Sequence, residues 1–180
     1  LPDYYVCSAY DNKHVISGNA SLGTELADSV PYIDAIIAPV GGGGLSSGII
    51  SGLRSKDVDI SVWGAEPSMA NDAARSLRNG ILISNDQEPD TLADGARTIS
   101  LGRLNFDIIS SEMSGIIEVD ENLIPIAMKH LHQCALRVEP TGALSVAALF
   151  AEQKRFVGMK IGCVLSGGNV DDDLYSGLVG

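Results

Sequence analysis

The chain has 180 residues, 45% of them apolar, and a formal net charge of −11. That length gives one domain, or one domain and part of another, with a sizeable core, and the acidity excludes a nucleic-acid surface, whose phosphates would be repelled. No apolar run reaches membrane-spanning length and the first residues lack the pattern of a signal peptide, so no membrane partner is expected.

In chain order, Asn19–Ser29 reads as a helix opened by a capping residue, and Ala35–Val40 as a strand. Gly41–Gly44 follow as a run of glycines, then a helix over Leu45–Ser55 and a strand over Ile60–Glu66. Ser68–Asn79 starts behind Pro67 and stops at Gly80, as a helix should. Positions 83–105 have no clear period and predict a long loop with one helical turn, which in a compact domain is more often functional than not. Gly115–Val119 is a strand, Asp120 or Asn122 caps a helix running to Arg137, Thr141–Arg155 is a helix, and Lys160–Leu165 is the last strand. The first and last strands are almost wholly apolar, as where a sheet is covered on both faces. Helices alternating with such strands predict an α/β fold with an open, mostly parallel, twisted sheet flanked by helices.

The glycine run raises the first functional question. One explanation is a tight strand-to-helix turn with surplus glycine. The other is a backbone cradle, since bare N–H groups at a helix N-terminus attract anions. The run is neither GxGxxG nor a Walker A loop, so a single phosphate monoester fits better than a dinucleotide or a triphosphate. A second glycine-rich strand exit, Ser166–Asn169, follows the last strand. Ligands of open α/β sheets sit beyond the carboxyl ends of strands, so the two exits could border one pocket.

Five ordered motifs, APVGGGGLSSG, GAEPSMAND, LADGAR, VEPTGA and LSGGNVD, carry a specific resemblance over nearly all the chain. The sequence resembles the C-terminal part of serine racemases and biosynthetic-type serine/threonine dehydratases, pyridoxal-phosphate (PLP) enzymes of the tryptophan synthase β fold, fold type II. The resemblance implies that residues 19–180 are most of the large cofactor-binding domain and that 1–18 end the small domain or cross between domains. It implies that Gly41, Gly42, Gly43, Gly44 and Leu45 hold the cofactor phosphate and that Ser166 bonds the pyridine nitrogen, where a neutral hydroxyl makes a weaker electron sink and favours β-elimination. Gly95 and Glu139 would line the cofactor ring. Glu66, the Ala70 carbonyl and Asp72 would hold a divalent cation, Mg²⁺ or Ca²⁺, whose hard-oxygen preference they suit. A helix N-terminal cap explains Ser68 and Asp72 equally well.

The family's Schiff-base lysine motif, Ser-Phe-Lys-x-Arg-Gly, and its Ser-x-Gly-Asn-x-x-Gln segment are not in these 180 residues, and the chain starts without Met. The expectation is therefore a piece of a longer enzyme, inactive alone, with no catalytic residue of its own. No regulatory module follows the last motif, so allosteric control of that kind is not expected. Tyr10 stands where dehydratases carry Phe and mammalian-type racemases Asn, which favours dehydration; Gly18-Asn19 replaces the more usual Gly-Gln. The implied activity is deamination of L-threonine, L-serine or a related 3-hydroxy amino acid to a 2-oxo acid and ammonia. Serine racemization and a non-catalytic phosphate-binding remnant are the alternatives. A nucleotide-binding domain would place an acidic ribose ligand near Glu66, but the consecutive glycines and the other motifs oppose it. A homodimer is implied by the resemblance.

The remaining features have ordinary explanations. Cys7, Cys134 and Cys163 are odd in number without a CxxC pair, which suits a reducing, cytoplasmic setting with each thiol acting as a small apolar residue. His130 and His132 should point to different helix faces, Trp63, Phe150 and Phe156 should pack, and Asp171–Asp173 read as a solvated helix start rather than a metal cluster.

Overall fold

The computed structural model describes residues 6–180. Of the expected crossover 1–18, residues 1–5 lie outside the described residues. The elements are α1 (Lys13–Ser29), β1 (Ala35–Pro39), α2 (Gly44–Ser55), β2 (Ser61–Pro67), α3 (Asp72–Asn79), α4 (Arg103–Glu112), β3 (Gly115–Val119), α5 (Leu123–Gln133), α6 (Leu144–Ala151), β4 (Ile161–Cys163) and α7 (Asp172–Val179). The sheet is all parallel in the order β3-β2-β1-β4, with Ala35 beside both Ser61 and Ile161. The α/β expectation holds.

Every residue of β1 is buried, as the second strand from one edge of a doubly covered sheet requires. On one face Ile37, Ala65, Ile117 and Val119 pack with Ile124 and Met128 of α5 and Leu144 and Ala147 of α6. On the other, Ile36, Ala38 and Val62 pack with Ile49 and Leu53 of α2 and with Ala73, Phe106 and Ile109. Helix α1 docks on α2 by close backbone approach at Gly23, Gly48 and Gly52. Among the described residues, no helix is long and apolar enough to cross a membrane.

Several boundaries differ from the sequence expectation for identifiable reasons. Helix α1 begins at Lys13, because the Asn12 side chain caps the His14 N–H at 2.8 Å; Asn19 is an interior residue whose amide bonds the Val15 carbonyl. The stretch expected as one helix over Ser68–Asn79 is a 3₁₀ turn, Ser68–Ala70, followed by α3. The Asn71 side chain does not cap α3. Helix α5 stops early, with Ala135 at φ 60° beyond its end. The helix expected over Thr141–Arg155 is α6 between the 3₁₀ turns Thr141–Ala143 and Gln153–Phe156. The long loop contains its one turn, Asp94–Ala96, but ends at Gly102, where α4 begins.

The smaller features divide. His130 meets Phe150 and His132 meets the Tyr175 hydroxyl, on separate contacts as expected. Trp63 is partly buried, edge-to-face on Phe156 with the Arg155 guanidinium over its ring. The acidic triplet opens α7, with Asp172 paired to Arg137. The cysteines correct the expectation, since Cys7 and Cys134 are exposed and only Cys163 is partly covered. Burial pushes the Cys163 thiol up to about 11, which leaves it inert.

Candidate functional site

Strands β1 and β4 are neighbours, so the chain exits after Val40 and after Val164 open on the same end of the sheet. There Gly43 adopts φ 91°, a left-handed turn that glycine alone makes without strain, and α2 starts at Gly44. Among the described residues, no group accepts a hydrogen bond from the N–H of Gly41, Gly42, Gly43, Gly44 or Leu45. Gly41–Leu45 line a cleft of about 300 Å³ together with Tyr10, Asn19, Gly95, Thr98, Thr141 and Ser166.

The walls of this cleft join through glycine. A Cβ at Gly41 would lie 2.8 Å from the Gly95 carbonyl oxygen, and the Gly95 N–H donates to Thr141 Oγ1 at 2.9 Å. The Gly142 Cα faces the Gly167 backbone, and Gly167 in turn lies against the Glu139 carboxylate. Tyr10 covers Gly42 with the face of its ring. Of the residues expected around a cofactor, Gly41, Gly42, Gly43, Gly44, Leu45, Gly95 and Ser166 share the cleft. Glu139 stands one layer back, accepting from the Asn169 N–H at 3.0 Å. Burial raises its carboxyl, the Asn169 bond opposes that, and Asp94 adds to it.

The second candidate site lies at the start of α3. Glu66, at the end of β2, is buried and accepts from the Ala73 and Ala74 N–H groups, one oxygen each at 2.9 Å. The helix end is therefore capped from the preceding strand, rather than by Ser68 or Asp72. Burial drives the Glu66 carboxyl well up, the two N–H bonds pull it back, and the nearby Asp72 charge raises it further. Asp72 is also buried, and burial pushes it up to about 6 against hydrogen bonds that include Asn85. One oxygen, Oδ1, accepts from Asn85 at 2.9 Å; the other, Oδ2, is buried without a partner among the described residues. Two repelling carboxylates, one with an orphaned oxygen, beside the buried Ala70 fit a hard divalent cation in donor chemistry. Among the described residues, no group of three or more His, Cys, Asp or Glu side chains is placed to hold a metal.

Sequence reasoning missed the residues that join these sites to the fold. Asn85 links Arg75, Asp72 Oδ1 and the Thr98 carbonyl, and so ties the long loop to α3 and to the cleft. Asp11 caps α4 by accepting from the Leu104 N–H at 2.9 Å, and the Asn105 amide bonds the Gly42 carbonyl at 2.8 Å. The available signal for α4 was Phe106 and Ile109 at helical spacing behind Gly102.

The glycine-lined cleft, with a serine at the neighbouring strand exit, is the setting for comparison with known proteins. Residues 1–167 match the family described as "Pyridoxal-phosphate dependent enzyme". The chain belongs to that family. As a pyridoxal-phosphate dependent enzyme sequence it is 39% identical over 168 residues to serine racemase of Schizosaccharomyces pombe, covering 93% of this chain and 52% of that protein. It is 37% identical over 171 residues to L-threo-3-hydroxyaspartate ammonia-lyase of Saccharomyces cerevisiae, covering 94% and 52%. Among solved structures, the threonine deaminase of T.th. superposes with a TM-score of 0.86 at 37% identity, over 90% of this chain and 56% of that one. Maize serine racemase gives 0.87 at 34%, over 95% and 54%. The chain thus spans about half the length of these relatives, and its fold is that of fold type II enzymes.

Proposed function

We propose that this chain is the C-terminal portion of a PLP-dependent ammonia-lyase acting on L-threonine, L-serine or a related 3-hydroxy amino acid, with a 2-oxo acid and ammonia as products. The observation that carries the reading is the cup of Gly41–Gly44 and the Leu45 backbone, whose N–H groups have no partner among the described residues, in one cleft with Ser166. PLP, when bound, supplies the electron sink that lets a substrate lose its α-proton and β-hydroxyl. The chain's own part is to bind and orient. The cup N–H groups and the α2 dipole take the phosphate dianion. The Ser166 hydroxyl meets the ring nitrogen without fixing a proton on it. The glycine walls bring backbone close to the ring.

In this reading the proton-transferring groups lie outside these 180 residues, the chain alone does not turn over substrate, and residues 19–180 act as the cofactor domain. Glu66, the Ala70 carbonyl and Asp72 hold Mg²⁺ or Ca²⁺, supported by the orphaned Asp72 Oδ2. The enzyme works as a cytoplasmic homodimer. Racemization of serine is the second reading, favoured by the relatives named serine racemase; Tyr10 supports dehydration. Borohydride reduction of the natural full-length protein, followed by peptide mapping, tests the assignment. A pyridoxyl group on a lysine outside this segment is expected, and 2-oxo acid release should exceed D-serine formation. A protein that takes no label would leave only a phosphate-binding remnant.

A further inference from the structure

The floor of the cup is held from below by one buried amide. Asn105 is fully buried in the first turn of α4, and its Nδ2 donates to the Gly42 carbonyl at 2.8 Å and to the Tyr10 carbonyl at 3.1 Å. The Gly102 N–H donates to the same Gly42 carbonyl at 3.0 Å. A Cβ at Gly43 would lie 2.8 Å from the Asn105 Cβ, so the two elements are in direct contact. The amide orientation is unambiguous, because both neighbours are acceptors and only the NH₂ group can face them. Its Oδ1 is then left buried without a partner among the described residues, a cost with no structural return within α4.

The return lies in the glycine loop. The Gly42 carbonyl and the Gly43 N–H belong to one planar trans peptide and point in opposite directions. Drawing that carbonyl onto α4 turns the Gly43 N–H away from α4, and Gly43 lines the cleft. The same amide fixes the backbone of Tyr10, whose ring covers Gly42. We infer that Asn105 is a positioning residue for the phosphate end of the cofactor. It aims the Gly43 N–H and sets the Tyr10 wall through a single carboxamide, an inference that rests on the cup being a PLP phosphate site. The job needs two N–H donors in one plane. A carboxylate supplies none and a hydroxyl supplies one.

The test compares PLP with pyridoxal, which lacks the phosphate, on the natural full-length protein and its Asn105→Asp and Asn105→Ser variants. Dissociation constants are measured by titration, with ³¹P NMR of the bound phosphate and melting of the cofactor-free protein alongside. Asn105→Asp should weaken PLP at least about tenfold and pyridoxal less than about twofold, with Asn105→Ser between wild type and Asn105→Asp and the ³¹P resonance displaced in both variants. Equal losses for the two ligands, or a lowered melting temperature with an unchanged PLP preference, would make Asn105 merely structural and overturn the inference. A wild-type protein with no preference for PLP over pyridoxal would remove the cup reading itself, an outcome visible before any variant is made.

Discussion

Gly23 of α1 and Gly52 of α2 meet backbone to backbone: a Cβ on Gly52 would lie 2.7 Å from the Gly23 Cα, and one on Gly23 would lie 2.9 Å from the Gly52 Cα. The contact brings α1, with Asn19, beside the helix whose N-terminus forms the cup. Gly52→Ala should therefore destabilise the protein by at least about 2 kcal/mol, as overpacking against rigid backbone does. Gly18 sits in the same helix with open space around it, so Gly18→Ala should stabilise by about 0.5–1 kcal/mol. Urea unfolding of both variants checks the pair, and similar effects would contradict the packing.

Two adjacent glycines of the cup should fail differently. Gly43 has positive φ and faces Asn105, so Gly43→Ala strains the backbone and lowers the melting temperature even without cofactor. Gly42 has no positive φ, but its added methyl would clash with the Tyr10 Cγ, so that ring must shift. Gly42→Ala should displace the Tyr10 wall and weaken PLP about tenfold or more, with a smaller loss of cofactor-free melting temperature than Gly43→Ala. Spectrophotometric titration beside melting curves separates the two.

Burial raises the Asp72 carboxyl from 3.8 to about 6, so between those values the folded protein keeps a proton that the unfolded chain releases. Its contribution to stability is full below about pH 4 and is lost as pH rises through about 6, with a slope approaching 1.4 kcal/mol per pH unit. Glu66, also raised, acts in the same direction. Added Mg²⁺ or Ca²⁺ must displace these protons, so the cation-induced rise in melting temperature should grow with pH and vanish near pH 4. Asp72→Asn should abolish the cation response and reduce the pH dependence to the part contributed by Glu66. A cation response that is the same at pH 4.5 and pH 7.5 would remove the ion from this site.

Asn85 holds the long loop by accepting from Arg75 and donating to Asp72 and to the Thr98 carbonyl. Asn85→Ala leaves a partly buried guanidinium and a carboxylate oxygen of buried Asp72 each short of a partner, at a cost of about 1–3 kcal/mol. Limited proteolysis should cut between Ser84 and Pro89 faster in the variant. Unchanged cleavage would mean that the loop is held without the Asn85 side chain, by bonds such as Leu92 N–H to the Glu121 carboxylate and Ile83 N–H to Ser76 Oγ.

The parts legible in the sequence are those whose causes are local. Gly41–Gly44 behind an apolar strand, Gly80 ending α3 and the acidic start of α7 each carry their reason within a few positions. Helix α4 was not legible because its cap comes from Asp11, 93 positions away, and the value of Asn105 depends on Gly42, 63 positions away. The carboxylate that caps α3 comes from Glu66 in the preceding strand, where the sequence pattern pointed to a ligand role rather than a cap. Exposed Cys7 and Cys134 show the limit of reasoning from residue type, since a thiol follows its neighbours rather than its average.

The clamp between Asp11, Asn105 and Gly42 also orders events in time. Helices α1 and α2 flank β1 in sequence and can pair early, whereas the cup closes only after α4 has crossed the intervening chain to dock. Contacts of that span form late, because the entropy of closing the loop must be met first. The glycine floor therefore takes its final shape after α1 and α2 have met, and before or together with the still longer-range pairing of β1 with β4 that completes the sheet.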